Sequence, residues 1–456
     1  MSVDLVIKDG TIVTESTIFK GSIVIEYGKI VGIVSSAHVP SADKIINAEG
    51  KLILPGAIDV HAHIHDINYT YREDFYSGSV AAAAGGMTAF INMPLVTHTV
   101  RTNEVKNIIE IGEKNSIIDF GQHAGNMTEE DIEYLDESIK LGVGGFKAFT
   151  CPPYHINPIV MMKMMSAIAK FNGIQLVHCE DYEIVTYLAE KFQRDGKKTI
   201  FDYFESRPDI GEEEAIRRVT KWGEKTKVNL QVVHVSSKLG AMAMKDAKKR
   251  GVNVTAETCP QYLFFSKEDG KKWGPYLKMN PTIKTKEDNV ALWNALSDGT
   301  IDMVTTDHAP GTKEEKEIGY EDIWKAWGGI PGVEDVFPML LYETIKNKKL
   351  TLTRLVQITS ANPAKRFNWY PQKGAIAIGS DADLVIVDPK ITDVISADKS
   401  HYKCGWNVYE GKNIIPIEIT ISRGEIIAEK GEVYGKRGRG RFLSTVPKRK
   451  AMVSMM

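Results

Sequence analysis

The sequence is poor in cysteine and carries almost no net charge, and both absences narrow its class. Among 456 residues there are four cysteines, and the formal net charge is -2. The cysteines lack C-x-x-C spacing, so we expect no disulfide framework and a reducing, cytoplasmic setting. The near-neutral charge gives no reason to expect a nucleic-acid or membrane partner.

Long apolar runs are also missing. No apolar stretch approaches the length of about 20 residues that a membrane span requires. The N-terminus has an early acidic residue, Asp4, instead of the apolar core of a signal peptide. The chain length is compatible with two or three domains, although a barrel of about 250 residues can form one unit. We therefore expect a cytoplasmic globular protein of more than one domain.

What the sequence does contain is a repeat of short apolar runs, several of which end in a metal-competent or ionisable residue. Such runs without alternation predict strands buried on both faces, as in a parallel sheet. The amphipathic stretches 158–171 and 213–226 between them predict helices. The runs lead to His61, Lys147, His178, His234 and Asp307, and three more cover residues 88–93, 117–122 and 252–258. Eight βα units of this kind predict an α/β fold, a (β/α)8 TIM barrel.

The two ends of the chain have a different pattern, typical of short β-strands around glycine turns. Residues 3–13 predict a hairpin with its turn at Asp9-Gly10, and residues 22–34 predict another. Residues 383–388 and 417–427 have the same character near the other end. We therefore predict a small β-sandwich built from both chain termini. The predicted units are the sandwich, residues 1–54 and 369–437, the barrel, residues 55–368, and a basic tail, residues 438–456.

The most informative motif is His61-Ala62-His63, directly behind an apolar run. In an extended segment, residues i and i+2 point to the same side, so both imidazoles can bind one metal ion. Two partly exposed loop histidines are the alternative. Because the carboxyl ends of barrel strands meet at one mouth, we interpret the histidines, the lysine and Asp307 as one cluster.

These side chains suit divalent zinc, with manganese, cobalt or iron also possible. Lys147 needs its own explanation, since a cation repels metals. One interpretation is a lysine that reaches the surface or forms an ion pair. The other is a desolvated amine whose pKa is lowered. Such an amine can capture carbon dioxide as a carbamate, and this anion would hold two metals close together.

The order His-x-His, Lys, His, His, Asp on eight strands resembles the amidohydrolase superfamily. More narrowly, the chain is similar to the cyclic-amidase branch, which contains dihydroorotases, hydantoinases or dihydropyrimidinases, and allantoinases. The resemblance covers nearly the whole chain. Its motifs are residues 71–79, 81–88, 234–237, 257–262, 306–310 and 374–384.

The resemblance implies a ligand set, a mechanism and an assembly. His61, His63 and Asp307 would bind one zinc ion, His178 and His234 a second, and carboxylated Lys147 would bridge both. A hydroxide shared by the metals would be the nucleophile, and Asp307 the general base and then the general acid. The substrate would be a small cyclic amide or ureide, and the assembly a homotetramer. The implied or candidate substrate contacts are His65, Asn92, Tyr154, Asn280 and Gly328.

The motifs point to different substrate rings. Dihydroorotases usually carry an arginine where this chain has His65 and an asparagine where it has Leu95, so two carboxylate contacts are missing. Hydantoinases tend to carry a tyrosine at the position of Pro152, and Tyr154 is either its substitute or a plain rim residue. Residues 93–95, 204–208, 214–218 and 325–332 look most like allantoinases.

We therefore rank an allantoinase-like activity first, a hydantoinase or dihydropyrimidinase second and a dihydroorotase third. The alternative from another class is a metal-free scaffold of the same fold that works through protein partners. That alternative is disfavoured because all six ligand positions are filled.

Overall fold

The computed structural model describes residues 2–446 of the chain. The first strands are β1 (Val3–Val13), β2 (Ile18–Glu26), β3 (Lys29–Val34), β4 (Ala42–Asn47) and β5 (Leu52–Pro55). The hairpin predicted within residues 3–13 is wrong, because β1 is one strand whose pairing with β2 shifts between Ile7 and Gly10. Asp9 takes a left-handed φ of 62° at this bulge, so the Asp9-Gly10 signal marks a local kink instead of a chain reversal. The second predicted hairpin is confirmed as β2 and β3.

The next strands form the predicted barrel. They are β6 (Ala57–Ala62), β7 (Met87–Asn92), β8 (Asp119–Gln122), β9 (Gly145–Phe149), β10 (Ile174–His178), β11 (Asn229–Val232), β12 (Val254–Thr258) and β13 (Met303–Val304). All pairings among them are parallel. Isolated parallel bridges from Ala124 to Phe146 and from Ala62 to His308 join the β6–β8 and β9–β13 groups. Every residue of β6 to β10 is buried, as we expect for strands of a parallel barrel.

The remaining strands come from the C-terminal part of the chain. They are β14 (Leu384–Val387), β15 (Asp393–Val394), β16 (Asn413–Ile414), β17 (Ile419–Ser422), β18 (Glu425–Glu429) and β19 (Glu432–Val433). β14 pairs antiparallel with β5, so the two ends of the chain share one nine-stranded sheet within residues 2–446. Side chains from β1, β2, β5, β14 and β17 form a separate hydrophobic core. The predicted terminal β unit therefore exists, as a single sheet with its own core.

Helices connect the barrel strands and cover its outside. They are α1 (Phe75–Ala84), α2 (Thr102–Asn115), α3 (Leu135–Lys140), α4 (Pro158–Lys170), α5 (Tyr182–Arg194), α6 (Ile200–Glu205), α7 (Asp209–Thr226), α8 (Lys238–Lys249), α9 (Pro260–Phe264), α10 (Gly270–Trp273), α11 (Lys286–Asp298), α12 (Lys313–Glu317), α13 (Val336–Ile345), α14 (Leu352–Val356) and α15 (Asn362–Arg366). Local sequence fixes several starts: Asn157 caps α4, and Pro158 occupies its first turn. Across residues 2–446 the helices are too short or too polar to span a bilayer.

The first part of the predicted basic tail lies against the barrel. Gly440 N donates to Ser116 O, and Thr445 N donates to Gly142 O at 2.9 Å. The Phe442 ring packs on Phe120 of β8, with 5.8 Å between centroids. These contacts fix residues 440–445 to the fold, and residues 447–456 lie outside the described part of the chain.

Candidate active site

The barrel closes where the segment after β13 pairs with the end of β6, and this pairing brings His61, His63 and Asp307 together. Asp307 N donates to His61 O at 2.9 Å, and His63 N donates to His308 O at 2.7 Å. This pairing aligns the end of β6 with the segment after β13. Asp307 Oδ1 consequently lies 3.2 Å from Nε2 of both His61 and His63. Donor atoms from these three residues all lie within 4.8 Å of one another.

Contacts at the other ring nitrogens orient the two imidazoles. His61 Nδ1 lies 3.1 Å from Glu257 Oε2, and His63 Nδ1 lies 2.9 Å from Met93 O. Each ring therefore donates from Nδ1 and turns Nε2 towards Asp307. The sequence analysis missed Glu257, a fully buried carboxylate on β12. Its position near the end of a predicted strand, residues 252–258, could have identified it as a site residue.

His178 and His234 form the neighbouring part of the cluster. Their ring centroids are 4.5 Å apart, and the His234 ring is 5.5 Å from His61. Here the orienting contact is on the opposite nitrogen, because His178 Nε2 lies 2.7 Å from Glu180 Oε2. Arg207 donates to the same carboxylate oxygen. Glu180 and Arg207 were also missed, although Glu180 follows His178 by two residues.

Lys147 stands beside these imidazoles in the middle of β9. Its side chain is buried, and Nζ lies 5.0 Å from the centre of the Phe149 ring. No carboxylate within residues 2–446 lies at ion-pair distance from Nζ. Burial lowers the pKa of Lys147 from its usual value. The interpretation of Lys147 as a surface-reaching or ion-paired lysine is therefore wrong.

Two members of the cluster have a strained backbone. His234, with φ of 43°, follows β11, and Asp307, with φ of 51°, follows β13. Left-handed conformations of non-glycine residues cost about 1–3 kcal/mol each and concentrate at functional sites. Both side chains thereby line the barrel mouth, as their positions after two strands predict.

A cavity of about 200 Å3 opens above this cluster. It is lined by predicted site residues His63, Lys147, Tyr154, His178, His234, Asn280, Asp307 and Gly328. His61 lies fully buried behind it. Lys278, Tyr203 and Trp327, which the sequence analysis did not single out, also contribute to the wall.

The structure does not bring His65 and Asn92 to this cavity wall. The Asn92 side chain instead accepts hydrogen bonds from Ile64 N and His65 N and donates to Gln122 Oε1. His65 is buried and stacks on Phe75, with 5.0 Å between ring centroids. Both residues shape the loop after His63, and this geometry supports the local hydrogen bonding of Asn92 over direct substrate contact.

The other three predicted contacts, Tyr154, Asn280 and Gly328, line the cavity. Tyr203 Oη donates to Asn280 Oδ1 at 2.5 Å, which leaves the Asn280 amide N–H groups free of this bond. A side chain added at Gly328 would approach Asn280 Nδ2 to 3.6 Å. Half-buried Tyr154 packs 5.2 Å from the Phe149 ring. Polar groups of Tyr154 and Asn280 therefore line the same cavity as the imidazoles.

The residues present fit divalent metal ions. His234 Nδ1 is a buried atom that has no hydrogen-bond partner within the described chain, and the 3.2 Å contact of His61 Nε2 with Asp307 Oδ1 lacks the geometry of a hydrogen bond. Leaving such atoms unpaired is costly, and a metal would satisfy them. The chemistry of the donor set, several imidazoles with a carboxylate, is the one that zinc and similar ions prefer.

Comparisons with known proteins agree with this geometry. The chain matches the Amidohydrolase family over residues 52–411. It is 35% identical to a dihydroorotase from Methanosarcina acetivorans, over 98% of this chain and 96% of that protein. It is 34% identical to an allantoinase from Rubrobacter xylanophilus, over 96% and 97% of the two chains.

A solved structure extends the likeness to the whole fold. The L-hydantoinase (dihydropyrimidinase) of Arthrobacter aurescens superposes with a TM-score of 0.94, at 31% identity, over 97% of this chain and all of that one. The expected TIM barrel and the expected resemblance are both confirmed. With its histidines, lysine and aspartate gathered at the mouth of that barrel, the chain belongs to the amidohydrolase family, in the cyclic amidohydrolase branch.

Proposed function

We propose that the protein is a two-metal hydrolase that opens the C–N bond of a cyclic amide or ureide. The observation that carries this proposal is the convergence of buried imidazoles, an unpaired lysine and an aspartate on one small cavity. The branch to which the chain belongs supports the same reaction. A cavity of about 200 Å3 suits a substrate of one small ring.

The proposed ligands divide into two groups. His61, His63 and Asp307 would hold one divalent ion, for which zinc is the first candidate. His178 and His234 would hold a second, and Glu180 would fix the His178 ring so that Nδ1 binds. When bound, the ions supply Lewis-acid polarisation of the ring carbonyl and activate water near neutral pH.

We propose that carboxylated Lys147 supplies the shared anion. Burial favours its neutral amine, whose nitrogen attacks the carbon of carbon dioxide. One N–H proton is released, and a carbamate of charge -1 forms. No protein carboxylate in the described chain competes for Nζ. The modification would replace a cation next to the imidazoles by an anion between the two proposed metals.

Asp307 is the proposed proton carrier. Its carboxylate remains charged: although burial opposes ionisation, the imidazoles of His61, His63 and His234 hold its pKa well below the usual range. The unprotonated oxygen would accept a proton from the attacking water. It would then deliver this proton to the departing ring nitrogen, so that one N–C bond breaks and one carboxylate forms.

Allantoin is the first candidate substrate, ahead of hydantoin or dihydropyrimidine rings and dihydroorotate. Two segments that resemble allantoinases contribute to the cavity wall, Leu95 and residues 327–330. The backbone and side chain of Asn280 and the open space at Gly328 suit the paired donor and acceptor of a ring amide.

A turnover panel tests this proposal. Purified protein with a measured metal content is offered allantoin, hydantoin, dihydrouracil and dihydroorotate, and ring opening is followed for each. We expect hydrolysis, with allantoin fastest. Turnover of dihydroorotate alone would contradict the ranking. A folded sample with less than about one equivalent of bound divalent ion and no turnover would favour the metal-free scaffold.

We also propose a homotetramer, as the resemblance implies. Size-exclusion chromatography with light scattering gives the mass directly, and a multiple of the 50.7 kDa chain other than four would contradict it.

A further inference from the structure

Two buried lysines lie in the cavity wall or directly behind it, and they differ in the number of their hydrogen bonds. Lys316 is fully buried, and its ammonium donates to three carbonyls, those of Lys278, Trp327 and Gly329, at 2.9–3.0 Å. An ammonium has three N–H donors, so all of them are used. Lys316 is therefore saturated, and its contacts hold the backbone that forms the cavity wall.

Lys278 is also buried and donates to backbone carbonyls, but its Nζ has two acceptors where that of Lys316 has three. Nζ donates to Trp324 O at 3.0 Å and to Ala326 O at 2.5 Å. Within residues 2–446 it has no third acceptor and no carboxylate at ion-pair distance. The residue is 5% exposed and lines the cavity. A buried charged donor without an acceptor is costly, which makes this N–H a binding group.

The position of Lys278 relates it to the substrate ring. Its Nζ lies 4.8 Å from the Tyr203 ring, and Tyr203 Oη donates to Asn280. Asn280 is the proposed contact for the ring amide. Lys278 therefore lines the same cavity wall beside the proposed ring contact, where we expect a substituent of the ring. Burial, reinforced by Arg207, lowers the pKa of Lys278 to about 7, which agrees with a cation that lacks an anionic protein partner.

We propose that Lys278 is a specificity-determining residue that donates its third N–H to an oxygen on the substituent of the substrate ring. This inference rests on the proposed function. It predicts a substrate class, namely rings that carry an oxygen acceptor outside the ring, such as a ureido carbonyl or a carboxylate. Rings without a substituent, or with an alkyl or aryl group, leave the N–H unpaired and are poorer substrates.

The test is a ratio of kcat/KM values measured with Lys278→Met. Allantoin carries a ureido carbonyl, dihydroorotate carries a carboxylate, and hydantoin carries neither. We expect the ratio of an acceptor-bearing ring to hydantoin to fall about 10- to 100-fold, as for loss of a hydrogen bond to a charged group. A ratio within about twofold of the wild-type ratio, in a folded variant, overturns the proposal.

Lys278→Gln separates the two sources of the oxygen. Its neutral amide keeps a donor but loses the charge. If the natural acceptor is a ureido carbonyl, the ratio for allantoin falls less than in Lys278→Met. If it is a carboxylate, the ratio for dihydroorotate falls as far in both variants. An unchanged ratio for both rings in Lys278→Gln and Lys278→Met again overturns the proposal, and Lys278→Gln serves alone where Lys278→Met does not fold.

Lys316→Met is the matched control. It removes a buried lysine of the same wall whose donors are all bound to protein carbonyls. We expect it to lower kcat/KM for all rings together and to leave their ratio unchanged. A ratio that falls as much as in Lys278→Met shows a general effect of wall disruption and overturns the specific role of Lys278.

The experiment also separates this proposal from the proposed function. If the wild type opens none of the rings, the proposed function fails. Calorimetric Kd values for allantoin, dihydroorotate and hydantoin then replace the rates. A selective loss of affinity for the acceptor-bearing rings in Lys278→Met supports the role of Lys278. Affinities that are absent, or that do not depend on Lys278, overturn it.

Discussion

Two buried lysines at opposite ends of the barrel have opposite environments. Lys147, in the middle of β9 and facing the mouth, has no carboxylate at ion-pair distance in the described chain. Lys373 lies near the start of β8, and its Nζ is 2.5, 2.9 and 2.8 Å from carboxylates of Asp119, Asp381 and Asp383. Burial lowers the pKa of Lys147, whereas at Lys373 the three carboxylates outweigh burial and raise the pKa.

The ion-pair partners of a buried lysine therefore indicate its role. The charge of Lys373 is compensated, and its ion pairs join Asp119 at the start of β8 to Asp381 and Asp383 just before β14. The charge of Lys147 is not compensated, so its neutral, reactive form is favoured. We therefore expect changes at the mouth to alter catalysis and changes at Lys373 to alter stability.

Removal of metal should affect the site at the mouth of the barrel and not the cluster around Lys373. Dialysis against a chelator at neutral pH is expected to abolish ring opening, because the metals supply the polarisation and the activated water. Addition of zinc, manganese or cobalt should restore activity, as measured by turnover together with elemental analysis. Full activity in a sample without divalent ions would contradict the two-metal proposal.

Lys147→Ala removes the proposed bridge. We expect kcat to fall on the order of 10^3-fold or more, since such a loss corresponds to several kcal/mol of transition-state stabilisation. Metal content should fall below that of the wild type, and short carboxylic acids should restore part of the activity by replacing the carbamate. Full activity in this variant excludes the carbamate.

Lys373→Met should instead lower stability. Asp119 and Asp381 would keep Arg423 and Lys29, but Asp383 would lose its ion-pair partner within the described chain, and breaking such a buried network costs about 3–5 kcal/mol. Urea unfolding measures the loss. Lys373→Arg keeps the charge and is the control. If Lys373→Met keeps wild-type stability but loses metal, the two ends of the barrel are not functionally distinct.

Glu257→Gln tests the contact behind His61. The amide is expected to weaken metal binding about 10- to 100-fold, because partners of a ligand histidine fix its tautomer and raise its basicity. Competition with a chromophoric chelator gives the affinity. Glu180→Gln is the matched change behind His178. An unchanged affinity in both variants would remove these carboxylates from the proposed site.

The smallest predicted effect is a pH dependence at Lys278. The groups that face its ammonium are Arg207, Asp322, Lys316 and the Tyr203 ring. With a pKa of about 7, Lys278 is protonated below that pH and loses its third N–H above it. KM for a ring with an oxygen acceptor should therefore rise a few-fold between about pH 6 and 8. A KM for hydantoin that rises equally over this range would assign the effect to another group.

Much of the barrel could be predicted because its signals are local. Buried parallel strands favour runs that are rich in apolar residues. β6, β7, β9 and β10 have such runs, whereas β8 begins at Asp119 and ends at Gln122. The i and i+2 spacing of His61 and His63 likewise fixed their common direction. The residues around Asp9 had an equally local signal that predicted a hairpin, but pairing with β2 turned it into a bulge.

The local sequence places the candidate side chains in or after the barrel strands, and chain direction carries every parallel strand end to the same mouth. Their partners, in contrast, depend on the tertiary fold. Glu257 meets His61, Lys278 meets the carbonyls of Trp324 and Ala326, and Asn92 turns to the loop at His65. Such contacts join positions far apart in the chain, and burial sets their energies, so no local pattern encodes them.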